Sequence, residues 1–293
     1  MNQSEKLLDE NTFAKLIELI TQKTGIIPRD SHKSGIRNYV EKRLKELEEV
    51  SNSKQISPET FLSLIEVNPI EMALLINSST VNETYFFREE AQFEVLEQKV
   101  LPELKAKTPI TIPITPIRIW SAACSTGEEI YSILLLAESL GIKTECTASD
   151  INTMVLEKCN NGVYKKNAIR SVDGAKYHKL LEPYKTEAGE FQLTEKLCSS
   201  INTRHINLSD LTDFPKNQNI IFIRNVFIYF SNEMKKQILT KIAEESLAPG
   251  GYLFVSMNEV AVLDSQMIPK CLEQIVDERF FIFIRRWTNE NNR

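Results

Sequence analysis

A run of small residues followed by two carboxylates, WSAACSTGEE at 120–129, is the stretch best suited to binding a ligand. The apolar residues before it are typical of a strand and the acids of a helix start, so backbone and ligand can approach closely at the carboxyl end of the strand. Glu128 and Glu129 would repel a pyrophosphate, and neither G-x-G-x-x-G nor a P-loop G-K-[ST] occurs. The stretch predicts a ligand with a cationic or hydroxyl-rich group, with an ordinary helix N terminus as the alternative.

A second candidate residue, Asp150, ends the next apolar run, CTASD. An acid at that place can accept hydrogen bonds from both hydroxyls of a ribose. Asp150 and Asn152 both precede a predicted helix, so N-capping is the alternative explanation for one of them. Taken with the paired acids, Asp150 indicates an adenosine-containing ligand without phosphates. S-adenosylmethionine is such a ligand.

Two further stretches mix polar residues with aromatic ones. In FIRNVFIYF (222–230), Arg224 and Asn225 interrupt an apolar run that ends near Tyr229, which is costly unless these groups face a site. A solvated strand edge is the alternative for Arg224. In VNETYFFRE (81–89), Arg88 follows adjacent aromatic residues, and a packed helix start is an equally good explanation.

The elements that would position these residues change in character along the chain. Apolar residues recur at helical spacing from residue 5 to about 78, with a first helix ended by Gly25, a second over 34–50 and a break at Asn68-Pro69. Three prolines then space an extended connector that cannot be helical. They are Pro109, Pro113 and Pro116.

Beyond the connector, strand-like and helix-like runs alternate, which predicts a mostly parallel sheet with helices on both faces. The predicted strands are 117–122, 144–148, 220–224, 252–257 and 280–285, and the predicted helices are 128–140, 152–160 and 232–247. The rhythm breaks over 176–206. A turn-like stretch before Phe191 predicts a small antiparallel β insertion there.

Composition limits the classes of protein. Lys and Arg number 35 against 40 Asp and Glu, a net charge of −5, so no overall positive field favours nucleic acid as a partner. Five cysteines, an odd number without a C-x-x-C pair, argue against a disulfide framework and against zinc, and we expect no metal. Neither a signal-peptide pattern nor an apolar run of about 20 residues occurs. We therefore expect a cytoplasmic protein without direct membrane insertion.

Five stretches, taken in order, resemble the bacterial chemotaxis-receptor glutamate methyltransferases, the CheR family. They are NETYFFRE (82–89), WSAACSTGEEIYS (120–132), ASDI (148–151), IFIRNVFIYF (221–230) and LAPGGYLF (247–254). The resemblance covers nearly the whole chain. Ile130 departs from the family pattern, which usually has Pro after the two glutamates.

The resemblance implies a class I S-adenosylmethionine-dependent methyltransferase fold, a Rossmann-like α/β sheet with a small antiparallel β insertion, preceded by an all-α N-terminal domain. It implies domains over 1–80 and 117–293, joined by an interdomain segment and connector over 81–116. It also implies S-adenosylmethionine as cofactor and S-adenosylhomocysteine as product. The implied cofactor contacts are Asn82, Thr84, Arg88, Glu129, Asp150, Asn207, Leu208, Arg224 and Asn225, and the residues implied nearest to the methyl transfer are Arg88 and Tyr229.

The implied reaction converts glutamate side chains of chemotaxis receptors to methyl esters, with the helical methylation region of the receptor as partner and a monomeric enzyme. A glutamate side chain has a pKa of about 4.3, so it is ionised near pH 7 and needs no general base. His32, His178 and His205 lie outside the motifs, and we expect them to be structural or exposed.

Recognition of an acidic receptor helix could come from 29–45, which carries six basic residues and two acids. We expect docking through Arg37, Arg43 and Lys45. These residues spread around their helix, so a generic solvated face is the alternative. Two other functions stay open: a non-catalytic S-adenosylmethionine-binding signalling module, and a CheR-like methyltransferase that acts on a non-chemotaxis protein or a small molecule.

Overall fold

Helices come first along the chain and a wound α/β sheet follows them in the computed structural model, which describes residues 8–51, 56–107, 115–277 and 279–286. The first four helices are α1 (Glu10–Thr24), α2 (Asp30–Ser51), α3 (Pro58–Val67) and α4 (Pro69–Ser79). They pack through one apolar cluster that includes Leu16, Ile20, Ile36, Val40 and Leu44. These side chains recur at helical spacing, as the sequence predicts.

The ends of these helices follow from local chemistry. Gly25 adopts φ 69° after α1, a left-handed conformation that glycine tolerates without a Cβ penalty. The side chain of Asn68 accepts hydrogen bonds from the backbone N–H groups of Ile70 and Glu71 and so begins α4. The predicted start of the second helix at Ser34 is four residues late, because the helix already begins at Asp30.

A further helical stretch leads towards the sheet. It consists of α5 (Glu90–Val95), a π-helical turn (Leu96–Val100) and α6 (Leu101–Lys107). Of the three predicted connector prolines, Pro109 and Pro113 lie outside the described residues, and Pro116 directly precedes the first strand.

The main sheet has seven strands in the order β5-β2-β1-β6-β7-β9-β8. Five neighbouring strands, from β5 to β7, run parallel, and β9 and β8 add an antiparallel edge. The strands are β1 (Ile117–Ala122), β2 (Thr144–Asp150), β3 (Val163–Tyr164), β4 (Phe191–Gln192), β5 (Ile201–His205), β6 (Gln218–Ile223), β7 (Leu247–Phe254), β8 (Leu272–Asp277) and β9 (Phe280–Arg285). The accompanying helices are α7 (Glu128–Ser139), α8 (Thr153–Asn161), α9 (Glu195–Ser199), α10 (Asn232–Lys241) and α11 (Met257–Val260).

Both faces of the sheet are covered at its centre, which explains why residues 220–223 of β6 are a continuous, fully buried apolar run. Successive residues of a strand point to opposite faces. Phe222 therefore packs into the core cluster on one face, while Ile221 packs with Trp120 on the other.

The strand order reverses at β1, whose neighbours are β2 and β6. In the parallel register, Ala122 at the end of β1 lies opposite Ser149 of β2 and Ile223 of β6. The residues that follow these three strands therefore meet at one edge of the sheet. Such a switch point is where wound α/β sheets bind their ligands.

The predicted bounds of the β insertion, 176–206, need correction. The small antiparallel sheet pairs β4 with β3, which lies before residue 176, and β5 pairs in parallel with β2 in the main sheet. The sequence of β5, INTRH, is polar because the strand lies at the sheet edge, so it lacks the apolar run by which strands are recognised.

The predicted bounds near the end of the sheet also change. The helix predicted over 232–247 ends as α10 at Lys241 and continues as a π-helical turn (Ile242–Ser246). β7 begins at Leu247, before the predicted start at Tyr252, because it runs through Pro249 and the two glycines with a shift in its register against β6. The edge strand β8 was not predicted.

Candidate active site

A cleft with an empty volume of about 800 Å³ opens at the switch point of the sheet. Its floor is formed by residues 123–125 after β1, by Asp150 at the end of β2 and by residues 224–226 after β6. Residues 79–84 and Arg88 form a second wall. Stretches that are far apart in the sequence, and that were singled out separately from it, thus line one cavity.

The small residues after β1 form a tight backbone turn. Ala123 and Ser125 adopt φ 58° and 50°, and Gly127 adopts φ 94°. A Cβ atom at Gly127 would lie 2.4 Å from the Sγ of Cys159, so glycine is required there both for its conformation and for space. The backbone of this turn is therefore exposed to the cleft, as the sequence predicts.

Asp150 is buried and bound to two backbone groups. One carboxylate oxygen accepts the N–H of Ser125 at 2.9 Å, and the other accepts the N–H of Asn152 at 2.9 Å. Burial raises the pKa of Asp150 above its ordinary value. Each carboxylate oxygen can accept a further hydrogen bond, so the group retains acceptor capacity towards hydroxyls in the cleft. N-capping of α8 belongs to Asn152, whose side chain accepts the N–H groups of Met154 and Val155.

Glu129 and Arg224 form a buried ion pair beside the cleft. Nε of Arg224 donates to Oε2 of Glu129 at 2.6 Å, and the hydroxyl of Ser121 donates to Oε1 of Glu129 at 2.6 Å. Burial opposes the charge of Arg224, but Glu129 and Glu89 together raise its pKa above the ordinary value. The solvated strand edge is therefore wrong for Arg224.

The same guanidinium holds the segment that carries Arg88. Nη1 of Arg224 donates to the carbonyl of Arg88 at 2.8 Å and to the side-chain oxygen of Gln92 at 3.2 Å. The side chain of Arg88 donates to the carbonyl of Glu83 at 2.8 Å. Asn82 and Thr84 line the cleft on the same segment.

Asp173 was not singled out from the sequence, yet it fixes this segment. Its carboxylate accepts the backbone N–H groups of Glu89 and Glu90 at 2.8 and 2.9 Å and the hydroxyl of Tyr85 at 2.7 Å. Burial would raise the pKa of Asp173, but these donors hold it below its ordinary value. A lone aspartate in an irregular stretch gives no sequence signal for such a role.

Asn225 and Tyr229 lie on the turn after β6. Asn225 adopts φ 58°, and its side-chain amide donates to the hydroxyl of Ser256 at 3.2 Å. Tyr229 lines the cleft from a short 3-10 helix (Phe227–Tyr229), and burial raises the pKa of its phenol. Glu259, which was also missed from the sequence, accepts the backbone N–H of Asn225 at 2.6 Å.

Asn207 and Leu208 line an adjoining pocket that shares Asp150 and Ala123 with the cleft. The side chain of Asn207 accepts the N–H of Ser209 in its own turn and donates to the carbonyl of Lys23 at the end of α1. Leu208 is buried and contributes an apolar wall.

The model of the family described as "CheR methyltransferase, SAM binding domain" matches residues 82–275. The chain belongs to this family.

Relatives of similar length support the CheR assignment. Chemotaxis protein methyltransferase 2 of Vibrio cholerae is 30% identical over 263 residues, which is 87% of this chain and 88% of that protein. The chemotaxis protein methyltransferase of Borreliella burgdorferi is 29% identical over 86% of this chain and 89% of its own. Among solved structures, TrmN from Thermus thermophilus matches at 15% identity with a TM-score of 0.38, over 65% of this chain and 48% of that one.

The predicted fold class of this CheR-family chain is confirmed. It is a Rossmann-like class I methyltransferase sheet with a small antiparallel β pair, preceded by helices. In the parts of the chain that the structure describes, no helix combines the length and apolarity needed to cross a membrane. Within the same residues, no group of three or more His, Cys, Asp or Glu could hold a metal ion.

The cleft fits the cofactor that the CheR family name gives. Asp150 offers oxygens with remaining lone pairs to a ribose, and the backbone turn at 123–125 leaves the space that side chains would otherwise fill. The adjoining pocket adds apolar walls from Ile206, Leu208 and Phe230, which suit a flat base. An acid and an apolar slot side by side fit a nucleoside without phosphates.

Two of the three predicted docking residues are occupied within the CheR chain itself. Arg37 donates to the carbonyl of Leu8 at 2.7 Å and pairs with Glu10 at 2.8 Å. Arg43 forms two hydrogen bonds to Glu71, at 2.5 and 3.0 Å. Glu71, the partner of Arg43, is buried, whereas Glu10 beside Arg37 is exposed. Docking through Arg37 and Arg43 stays a prediction. Lys45 is exposed.

His32, which was expected to be structural or exposed, is half-buried. Its side chain lines the cleft, and its ring centroid lies 5.9 Å from that of Tyr229. His32 lies far from every motif in the sequence and reaches the cleft only through the start of α2. His205 is exposed, with a ring nitrogen 2.9 Å from the carbonyl of Ile151.

Proposed function

We propose that this CheR-family chain transfers a methyl group from S-adenosylmethionine to glutamate side chains of chemotaxis receptors, forming methyl esters. The observation that carries this function is the cleft at the switch point, which Asp150, Arg88 and Tyr229 line together. Its support comes from the family and from relatives named chemotaxis protein methyltransferases.

The chain's own residues divide into two groups by what they can do. Asp150 holds ribose hydroxyls with its remaining lone pairs, and Asn207 and Leu208 border the pocket for the base. Asn82, Thr84 and Asn225 line the cleft and hold the rest of the cofactor. When bound, S-adenosylmethionine supplies an electrophilic methyl group on a sulfonium.

We assign Glu129 and Arg224 to the cofactor end in a supporting role. Both side chains border the cleft, but their shortest hydrogen bonds are to each other. Arg224 fixes the backbone of Arg88, and its pair with Glu129 fixes the acidic lining. Preorganised polar groups of this kind reorganise little during a reaction.

Arg88 and Tyr229 orient the acceptor carboxylate towards the methyl group. A glutamate is already ionised at neutral pH, so no residue has to remove a proton from it. Holding the reactants in line can contribute about 7–11 kcal/mol at its upper range. The work of these residues is therefore alignment rather than acid–base chemistry.

The same function implies a cytoplasmic enzyme that acts as a monomer on the helical methylation region of the receptor, without nucleic acid and without inserting into the membrane. S-adenosylhomocysteine is the product. The formal net charge of −5 means that contact with an acidic receptor helix depends on local positive groups near the cleft, such as Arg88 and Arg29.

The direct test is incubation of the purified chain with radiolabelled S-adenosylmethionine and membranes from its own cell. We expect label on receptor bands that is released by mild alkali, as methyl esters are. Tyr229→Phe should lower turnover more than affinity for S-adenosylhomocysteine, measured by calorimetry. Tyr184→Phe, a half-buried tyrosine outside the cleft, is the matched control.

Label on another protein or on a small molecule would instead support a CheR-like enzyme with a different acceptor. Calorimetric binding of S-adenosylhomocysteine without any label transfer would support a signalling module. Failure to bind either compound would refute the cofactor assignment itself.

A further inference from the structure

Glu259 is a buried carboxylate that the reaction described above does not use. Glu259 has 0% relative exposure and lies on α11, just after β7. Oε2 accepts the backbone N–H of Asn225 at 2.6 Å, and Oε1 accepts the N–H of Ile228 at 3.4 Å. Both donors belong to the turn after β6 that ends at Tyr229 and lines the cleft.

This arrangement is costly for the fold. A carboxylate taken out of water needs compensating hydrogen bonds, and here backbone amides provide them. The short contact to Asn225 is typical of a charge-assisted hydrogen bond. A buried carboxylate whose two oxygens both accept backbone N–H groups of one turn acts as a fixed anchor for that turn.

The turn itself requires an anchor, because its backbone is unusual. Asn225 adopts a left-handed conformation at φ 58°, which is uncommon outside glycine. A further hydrogen bond supports this backbone conformation: the side-chain amide of Asn225 donates to the hydroxyl of Ser256. Ser256 in turn donates to Oε1 of Glu89 at 2.5 Å, which links the turn to the segment that carries Arg88.

We infer that Glu259 is a positioning residue for methyl transfer: its carboxylate fixes the turn after β6 and thereby places Tyr229 and Asn225 in the cleft. This inference rests on the proposed function. Glu259 does not line the cleft and so acts only through the turn.

The position of Glu259 also couples the turn to pH. Burial raises the pKa of Glu259 to about 7. A protonated carboxyl group is a weaker acceptor, so the anchor weakens as the pH falls through that value. The charged or titratable groups nearest to this region are Glu89, reached through Ser256, Arg224 directly before the turn, and Tyr229 with Arg29 and His32 beside its ring.

The test compares Glu259→Gln with the unchanged chain at pH values from 5.5 to 8.5. Gln has the same shape, but its NH2 group cannot accept from a backbone N–H. We expect kcat at pH 8 to fall about tenfold or more, with affinity for S-adenosylhomocysteine changed less than about threefold. The neutral inflection in the kcat profile of the unchanged chain should disappear.

Two controls identify the source of the inflection. The ring of His32 lies beside that of Tyr229, so His32→Gln is measured as well, and we expect it to keep the inflection. Glu244→Gln, an exposed glutamate on the turn after α10, should behave like the unchanged chain. An inflection that vanishes in His32→Gln but persists in Glu259→Gln would overturn the inference.

A readout without turnover separates this inference from the proposed function. Amide hydrogen exchange of a peptide spanning 225–229 should speed up about tenfold in Glu259→Gln, beyond the change of peptides in β1 and β2. If Glu259→Gln fails to fold, Ser256→Ala and the pH dependence of exchange in the unchanged chain take its place. Unchanged exchange at 225–229 would show that Glu259 does not hold this turn, whichever substrate accepts the methyl group.

Discussion

Two carboxylates, Asp173 and Glu259, hold two different segments of the candidate active site by the same kind of bond. Asp173 accepts the backbone N–H groups of Glu89 and Glu90, next to Arg88. Glu259 accepts backbone N–H groups from the turn that ends at Tyr229. Both anchors come from stretches that lie far from their targets in the sequence.

The two anchors differ in their environment and therefore in their effect on stability. Asp173 is partly exposed, and its donors hold its pKa below the ordinary value. Glu259 is fully buried, and burial raises its pKa to about 7. Similar hydrogen bonds thus stabilise the fold at Asp173, whereas at Glu259 they only offset the cost of burying the carboxylate. A costly anchor indicates selection for position rather than for stability.

The largest effect is expected where both anchored segments meet, at Arg224. Its guanidinium binds the carbonyl of Arg88, and it directly precedes Asn225. Arg224→Met would leave Glu129 buried without its cation, a change that typically costs about 3–5 kcal/mol of unfolding free energy. Urea denaturation measures this loss.

Arg118→Met is the matched control for that variant. Arg118 lies on β1 of the same sheet, and its pair with Glu145 spans 3.5 Å between two side chains that are 44% and 62% exposed. Exposed pairs contribute about 0–1 kcal/mol, so this variant should lose little stability. A loss below about 1 kcal/mol for Arg224→Met would show that the two segments are held independently of the buried pair.

Much of the fold could be predicted from the sequence, because the features used were local. The strand at 117–122 is mostly buried and rich in β-forming apolar residues, and Gly25 and Gly162 end helices in left-handed conformations. The edge strand β5 escaped prediction because a polar strand has no periodic signal. The insertion was misplaced because its two strands have only two residues each, which is too short for a periodic pattern.

The candidate site was predictable where residues follow strands and unpredictable where they reach it from elsewhere. Asp150 and Arg224 line the cleft because parallel strands end at one edge. Asp173, Glu259 and His32 contact the site through tertiary packing, and no spacing rule relates them to it. The ion pairs of Arg37 and Arg43 could not be foreseen, because a charge count cannot tell an exposed cation from one paired inside the fold.

The next effect is a pair of opposite pH dependences that sharpens the comparison of the anchors. Asp173 stabilises the fold above its unfolded pKa of about 3.8, and this contribution is lost as the pH falls through its lowered folded value. Glu259 acts in the other direction, since its raised pKa costs stability as the pH rises from 4.5 through about 7. That cost is on the order of 3 kcal/mol above pH 7.

Urea denaturation of Asp173→Asn and Glu259→Gln from pH 3 to pH 8 checks both signs. Asp173→Asn should have a lower unfolding free energy than the unchanged chain near neutral pH, and this difference should shrink towards pH 3. The unfolding free energy of Glu259→Gln should rise relative to that of the unchanged chain towards pH 8. The hydrogen bonds that the variant loses offset part of this gain. Parallel curves for the two variants would mean that burial does not distinguish the anchors.

The smallest effect is expected at Arg170, which tests whether Asp173 acts alone within its stretch. Arg170 pairs with Glu83 at 3.1 Å and lies over the ring of Tyr85, but its side chain is 51% exposed and that of Glu83 is 69% exposed. Such a pair contributes about 0.2–1 kcal/mol, so Arg170→Gln should change the unfolding free energy by about 0.5 kcal/mol. A double-mutant cycle with Asp173→Asn measures the coupling between them. Because the two residues share Tyr85, a coupling above about 1 kcal/mol would make the stretch one cooperative clamp, whereas a smaller value leaves the backbone hydrogen bonds of Asp173 as the anchor of the Arg88 segment.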